Sequence, residues 1–288
     1  MLKEENNVLV DFSSVEKNLP TYSLKNKGIQ AICIDNILGS LGRYADFSES
    51  FLPKNFARSS RYEHIKSLME QGIDLAPIQV YQILDSYFII DGHHRVAIAK
   101  NEFKAKYIDA EVMEVNFNFK LLKDKNYIFD SEQTKNFLIK LESYAFKKST
   151  MLNNNILIKP LIVTELKSYA VLEQEILDFK QNYHNGELAK KSMMYVAYKW
   201  YEERFLPAVR LIETEKILSK FSNRTYTDLY VWIQKHKYFL SQQAGHDVGF
   251  DYTAHDFMEK YKEKNFLELI PSMFTDIVKN LVSNLVKK

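Results

Sequence analysis

Tyr87-Phe88-Ile89-Ile90-Asp91-Gly92-His93-His94-Arg95-Val96-Ala97-Ile98-Ala99-Lys100 decides the architecture, because an aromatic and β-branched run halts at Asp-Gly and good helix formers follow at once. Residues 87–90 predict a buried strand, and the run that follows predicts a helix over residues 94–102, with Val96, Ala99 and Lys100 in register. A strand feeding directly into a helix leaves the first-turn N–H groups without intrahelical acceptors, and the helix dipole adds partial positive charge there. Such a junction favours a bound anion. Gly92 lets the backbone approach a ligand closely, and Arg95 offers a planar fork that can grip two phosphate oxygens. At roughly 1.5 to 3 kcal/mol for each charge-assisted bond, three or four would hold a nucleotide phosphate at micromolar strength after association costs. The competing reading is a plain turn, in which Asp91 caps the helix and both histidines face solvent. Adjacent helical side chains diverge by about 100°, and no Cys or carboxylate lies near His93 and His94 at zinc-like spacing. A metal held by protein ligands alone is therefore not expected, whereas Mg2+ carried by a nucleotide is compatible with the site.

Outward from this junction, Pro77–Ile83 and Tyr87–Ile90 predict a hairpin across Leu84-Asp85-Ser86, and Tyr107–Val115 alternates as a further strand. Upstream, Gly28–Ile34 reads as a strand and Gly39-Ser40-Leu41-Gly42-Arg43-Tyr44 as a glycine-punctuated loop. A helix follows from Ser60, with Glu63 completing a capping-box pattern and Gly72 as its stop. Beyond residue 116 helical periods dominate, apart from a strand signal at Ile156–Val163. Helices are expected from Thr164 to near Gly186, from Glu187 through Trp200, Tyr201 and Phe205 with Pro207 kinking or splitting it, over Thr227–Gln243, and over Tyr252–Tyr261. Trp200, Tyr201 and Phe205 fall at core spacing, and Arg224, Thr225, Thr227 and Asp228 look like a helix N-terminus. His184, His236, His246 and His255 show no convergent spacing. Met273, Phe274, Ile277, Val278, Leu281, Val282, Leu285 and Val286 form an apolar stripe suited to docking on the core or on a second subunit, which leaves a homodimer open. The expected fold class is α+β: an N-terminal extension over 1–27, a mixed sheet with helices over 28–116, a connecting segment over 117–163 and an all-α domain over 164–288.

The 288 residues are 46% hydrophobic, enough for a substantial core, and 39 basic against 37 acidic residues leave a net charge of +2. That balance gives no support to DNA binding, which needs a concentrated basic face. The lone Cys33 sits in the apolar run Ile29–Ile34 and reads as an inert buried thiol, so no intrachain disulfide forms. The opening residues Met1–Asn7 lack a signal-like apolar stretch and no run of about 18 apolar residues occurs, so a cytoplasmic protein without a membrane partner is expected.

The hairpin Pro77-Ile78-Gln79-Val80 and Tyr87–Ile90, followed by Asp91-Gly92-His93-His94-Arg95 and its helix, resembles the ParB/sulfiredoxin-like domain over about residues 28–115. The resemblance implies a Gly-x-x-Arg element, here Gly92 to Arg95, that binds nucleotide phosphates at the start of a helix. Chromosome-partitioning members bind CTP and DNA, sulfiredoxins use ATP to repair a peroxidised cysteine, and a free-serine kinase branch carries the same Asp-Gly-His-His-Arg string. Sulfiredoxins have a cysteine where Gly92 precedes His93, and partitioning proteins continue into a helix-turn-helix that is not evident here. In the kinase branch a glutamate on the loop after the first strand serves as base; this chain has Gly39–Tyr44 there, with Asp46, Glu49 and Glu63 as substitutes. The Gly39–Tyr44 loop, Trp200-Tyr201-Glu202, Leu206-Pro207 and Asn223–Trp232 together resemble a bacterial group of ParB-like proteins with a helical C-terminal domain.

Two functions follow as expectations. The first is nucleotide-dependent phosphoryl transfer to a small-molecule substrate, which needs a phosphate cradle, cations and a carboxylate. Asp91 would serve as base or magnesium ligand, His93 and His94 as polarising donors, and Gly92, His93, His94, Arg95 and Arg43 would bind the nucleotide, be it ATP, ADP or CTP. The second is a nucleotide-binding or DNA-associated regulator without turnover.

Overall fold

The structure, a computed structural model, describes residues 9–42, 51 and 60–260, and divides the chain into two units, Met1–Ser149 and Thr150–Lys288. In the first unit β1 (Val10–Asp11), β2 (Tyr22–Cys33), β3 (Ile37–Ser40), β4 (Ile78–Ile83), β5 (Ser86–Asp91) and β6 (Tyr107–Phe117) form one mixed sheet in the order β1-β3-β5-β4-β6-β2. β5 runs parallel to β3 and antiparallel to β4; Leu84-Asp85 is the turn between β4 and β5, with Leu84 at φ 55°. Two cross-strand pairs fix what covers each face. Val80 lies opposite Ile89 and belongs to a core with Tyr62 of α2 (Ser60–Glu70) and Val96, Ala97 and Ile98 of α3 (His93–Asn101). Tyr81 lies opposite Phe88 on the other face. There Phe12 of α1 (Phe12–Glu16) stacks on Tyr81 at 4.6 Å, and Phe137 of α4 (Glu132–Thr150) meets Phe88 edge-on at 5.1 Å. β5 is thus buried from both sides, which is why Phe88-Ile89 reads as continuous apolar sequence rather than alternation.

Several expected elements are corrected. The strand expected at Gly28–Ile34 is β2, which starts six residues earlier at Tyr22; β1 and the first part of β2 thus fall within 1–27. Tyr22–Lys27 is polar because it lies on a sheet-edge strand and is largely exposed, so no alternation marks it. Gly39 and Ser40 belong to β3 rather than to a loop, α3 begins at His93, and Cys33 is only half-buried. Residues 117–163 contain the 19-residue helix α4.

The second unit is helical: α5 (Ser168–Asn182), α6 (Met193–Trp200), α7 (Leu206–Thr214), α8 (Tyr226–Ala244) and α9 (Phe250–Lys260). Trp200, Phe205 and Tyr230 form its aromatic centre, with Phe205 edge-on to Tyr230 at 5.1 Å. Pro207 lacks the N–H that would bond four residues back, and a π turn at Tyr201–Phe205 precedes it, so α6 passes into α7 without a break in helix. The helix N-terminus expected at residues 224–228 is that of α8, where Thr225 and Asp228 close a reciprocal capping box. Ile156–Val163 is not a strand. Side chains take its backbone groups instead: Tyr201 bonds both N–H and C=O of Lys159, and Asn154 does the same for Leu161. The helices expected from Thr164 and Glu187 start at Ser168 and Met193. The stripe from Met273 to Val286 lies outside the described residues.

β3 approaches its neighbours so closely that a Cβ on Gly39 would lie 2.2 Å from the Val10 carbonyl oxygen and 2.7 Å from Phe88 Cδ1. Because backbone and a packed ring must both move, Gly39→Ala should cost about 1–3 kcal/mol of the first unit's stability, read as a lowered denaturant midpoint. A wild-type midpoint would refute the close approach of β1 and β3.

Candidate functional site

β3 and β5 run parallel, with Ser40 opposite Ile89 and the Leu41 N–H bonded to the Ile89 carbonyl at 2.8 Å. The end of β3 is thereby set beside the β5–α3 junction. Gly92 makes that junction at φ 107°, and a Cβ there would stand 2.4 Å from Ile78 Cγ2 and 3.1 Å from Arg95 Nη2. Both the left-handed backbone and the space demand glycine. Gly92, not Asp91, is the N-cap of α3, and it supplies no side-chain cap; its carbonyl accepts the Val96 N–H at 3.0 Å.

Asp91 is therefore no helix cap. Its carboxylate accepts from Arg95 Nη2 at 2.6 Å, and the Asp91 side chain is 61% exposed. Arg95 Nη1 donates to the carbonyls of Ala76 and of Pro77, the latter at 3.1 Å. The guanidinium is thus fixed against the segment entering β4. The two histidines part company, as adjacent helical residues must. His93 is buried and its Nε2 pairs with Ser40 Oγ at 2.5 Å, whereas the His94 ring meets Tyr62 edge-on at 6.1 Å. Tyr62 in turn donates to Glu102 at 3.2 Å. Neither histidine simply faces solvent. Arg43, Tyr44, Asp46 and Glu49 lie outside the described residues, and Glu63 is exposed on the first turn of α2.

The arrangement offers an anion the N-terminal turn of α3, a braced guanidinium and an imidazole held by a hydroxyl. The Asp91 carboxylate at its edge can face a cation or accept a proton. Among the described residues, no group of three or more His, Cys, Asp or Glu could hold a metal ion, and no helix is long and apolar enough to cross a membrane. Ser40, Ala76 and Pro77 have no local sequence signal as site residues. They reach the site only through strand pairing.

Further polar groups lie in the second unit. Glu165 accepts from Trp232 Nε1 at 3.0 Å and pairs with Arg224 at 3.2 Å, while the Arg224 guanidinium lies over the Trp232 ring at 5.1 Å. Burial pulls the Lys235 ammonium down to about 8 against the opposing charge of Glu165. His236, which shows no convergent spacing in the sequence, is buried and pairs with Asp256 at 2.6 Å, joining α8 to α9. Glu175 stands among Trp200, Tyr230 and Gln234.

Residues 161–262 match a family model described as a domain of unknown function, DUF4032. The match lies wholly within the second unit. Among solved structures the chain is similar to the C2221 form of a Pnob8-like ParB-N domain, at 12% identity over 77% of this chain and 84% of that chain, with a TM-score of 0.23. At that score the fold assignment rests on the sheet itself. Comparison with curated proteins gives no match.

Gly92→Ala should be far more damaging than Gly72→Ala, since Gly72 lies at φ 70° against 107° for Gly92 and has nothing within 4 Å of an added Cβ. Backbone strain alone should cost about 1 kcal/mol at residue 72, and the overlap with Ile78 roughly 1–3 kcal/mol more at residue 92. Equal denaturant midpoints for the two variants would refute the packed junction.

Proposed function

We propose that the first unit binds the phosphate of a nucleotide at Asp91–Arg95 and transfers a phosphoryl group to a small molecule. The observation that carries the reading is the left-handed glycine at the strand-to-helix junction, which opens the first turn of α3 to close approach beside Arg95. Phosphoryl transfer needs positioning and charge stabilisation more than covalent help, so a cradle, fixed cations and one carboxylate are an adequate set. Gly92, His93, His94 and Arg95 form the cradle, and the Ser40 hydroxyl fixes the imidazole of His93. Asp91, tied to Arg95 yet largely exposed, is the candidate base or partner of nucleotide-borne Mg2+. The sequence resemblance to the ParB/sulfiredoxin-like domain supports the same placement. ATP, ADP and CTP are the nucleotides to test.

Thermal-shift and nucleotide-consumption assays with these three nucleotides, Mg2+ and pooled metabolites test the reading. Stabilisation with turnover is expected; stabilisation without turnover would sink the transferase reading. Arg95→Ala should weaken nucleotide binding about tenfold to a hundredfold through the lost charge-assisted bonds. Unchanged affinity would place the phosphate elsewhere.

A second reading, a nucleotide-binding regulator without turnover, is favoured by the engagement of Arg95 with Asp91, Ala76 and Pro77, which suits a rigid binding site more than a moving catalytic one. For a DNA-associated version, salt-dependent DNA binding is expected. Its absence at low salt would eliminate that version.

A further inference from the structure

Glu175 of α5 projects its carboxyl into the centre of the helical unit, among residues that no part of the phosphate-site reading uses. Oε1 accepts from the Tyr230 hydroxyl and from Gln234 Nε2 at 3.0 Å, and Gln234 Nε2 also lies 3.1 Å from the Tyr230 oxygen. Oε2 is buried without a hydrogen-bond partner, and so is the indole Nε1 of Trp200. Tyr230 and Trp200 are both fully buried. A half-satisfied carboxylate in such surroundings is costly while charged and much less so when protonated.

The groups acting on it come from three elements. Tyr230, Gln234 and Lys237 belong to α8, Trp200 ends α6, and Arg204 belongs to the π turn. Burial pushes the Glu175 carboxyl up to about 7, against the opposing pull of the Tyr230 hydroxyl, the Trp200 N–H, Lys237 and Arg204. Tyr230 itself is raised well above its ordinary value by burial and by Glu175, so it stays a neutral donor throughout this range. The indole N–H acts on the carboxyl without reaching hydrogen-bond geometry. One turn along α5, Phe179 carries the Arg204 guanidinium over its ring at 5.7 Å, which ties the π turn to the same face of α5.

We propose that Glu175 is a proton-controlled joint in the helical unit: with its carboxyl neutral, α5 closes on α8 and on the Trp200–Phe205 turn, and with the carboxyl charged that packing loosens. The sign follows from linkage. The folded unit holds the proton more tightly than the unfolded chain, so stability is greatest at low pH and falls as pH rises from the ordinary carboxyl value of 4.5 to about 7. Above that range the contribution is constant. The joint is independent of any nucleotide.

The test uses the full chain without added ligand. The 1H–15N indole resonance of Trp200, distinguished from Trp232 by Trp232→Phe, is followed from pH 5 to 8.5. A titration with a midpoint near 7 is expected in the wild type. Glu175→Gln, which mimics the neutral acid, should abolish that titration and flatten the fall in denaturant midpoint between pH 5 and 7, whereas His236→Gln should leave both in place. A flat Trp200 resonance in the wild type, or the same titration in Glu175→Gln, would overturn the proposal. If Glu175→Gln does not fold, 13C carboxyl chemical shifts of wild-type glutamates decide: the proposal stands on one side-chain carboxyl titrating near 7 and falls if all titrate below about 5.5.

Discussion

Everything in the first unit hangs on the burial of β5 from both sides. Phe88 packs towards α1 and α4, Ile89 packs towards α2 and α3, and neighbours occupy both backbone edges of the strand. A strand so enclosed cannot slip register without turning its apolar set into the wrong layer. Its last residue is fixed accordingly, and the chain must turn at once to lay α3 back over the sheet. Gly92 makes that turn in a conformation and a space that other residues cannot share. The anion-favouring geometry at Asp91–Arg95 is therefore a consequence of core packing.

Charge at the site follows the same logic. Arg95 is braced by one carboxylate and two carbonyls, so its direction is set before any ligand arrives. Preorganisation of this kind lowers the ordering cost of binding. It also neutralises part of the cation, and leaves Asp91 as a largely exposed carboxylate at the edge of the junction. His93 is held similarly, by a hydroxyl from a strand distant in sequence.

The helical unit solves a different problem. Its centre is aromatic, but it admits one carboxyl whose hydrogen bonds are incomplete. Buried polar groups left partly unsatisfied are rare enough to demand an account. The π turn beside Trp200 ends just before Pro207, which has no N–H to bond four residues back, and it brings Arg204 to the face of α5 that carries Glu175.

Amino-acid order alone determined the features that depend on local chemistry. The strand–glycine–helix junction, the hairpin at 78–91, the capped N-terminus of α8 and the core role of Trp200 and Phe205 are legible because period, turn residues and cap residues act over a few positions. The first part of edge strand β2 carries no sequence signal, since exposed polar residues show no alternation, and Ile156–Val163 has strand-like content without a strand, because β-branched residues need a partner strand to become a sheet. Only the tertiary structure decided that Asp91 serves Arg95 rather than the helix end, that Ser40 holds His93, and that Glu175 is enclosed by Tyr230, Gln234 and Trp200. The Ser40–His93 and Glu175–Tyr230 pairs join residues more than fifty positions apart. Asp91 and Arg95 are near in sequence, but their pairing depends on a backbone turn imposed by the sheet. Local propensity cannot specify contacts that exist only after layers have packed.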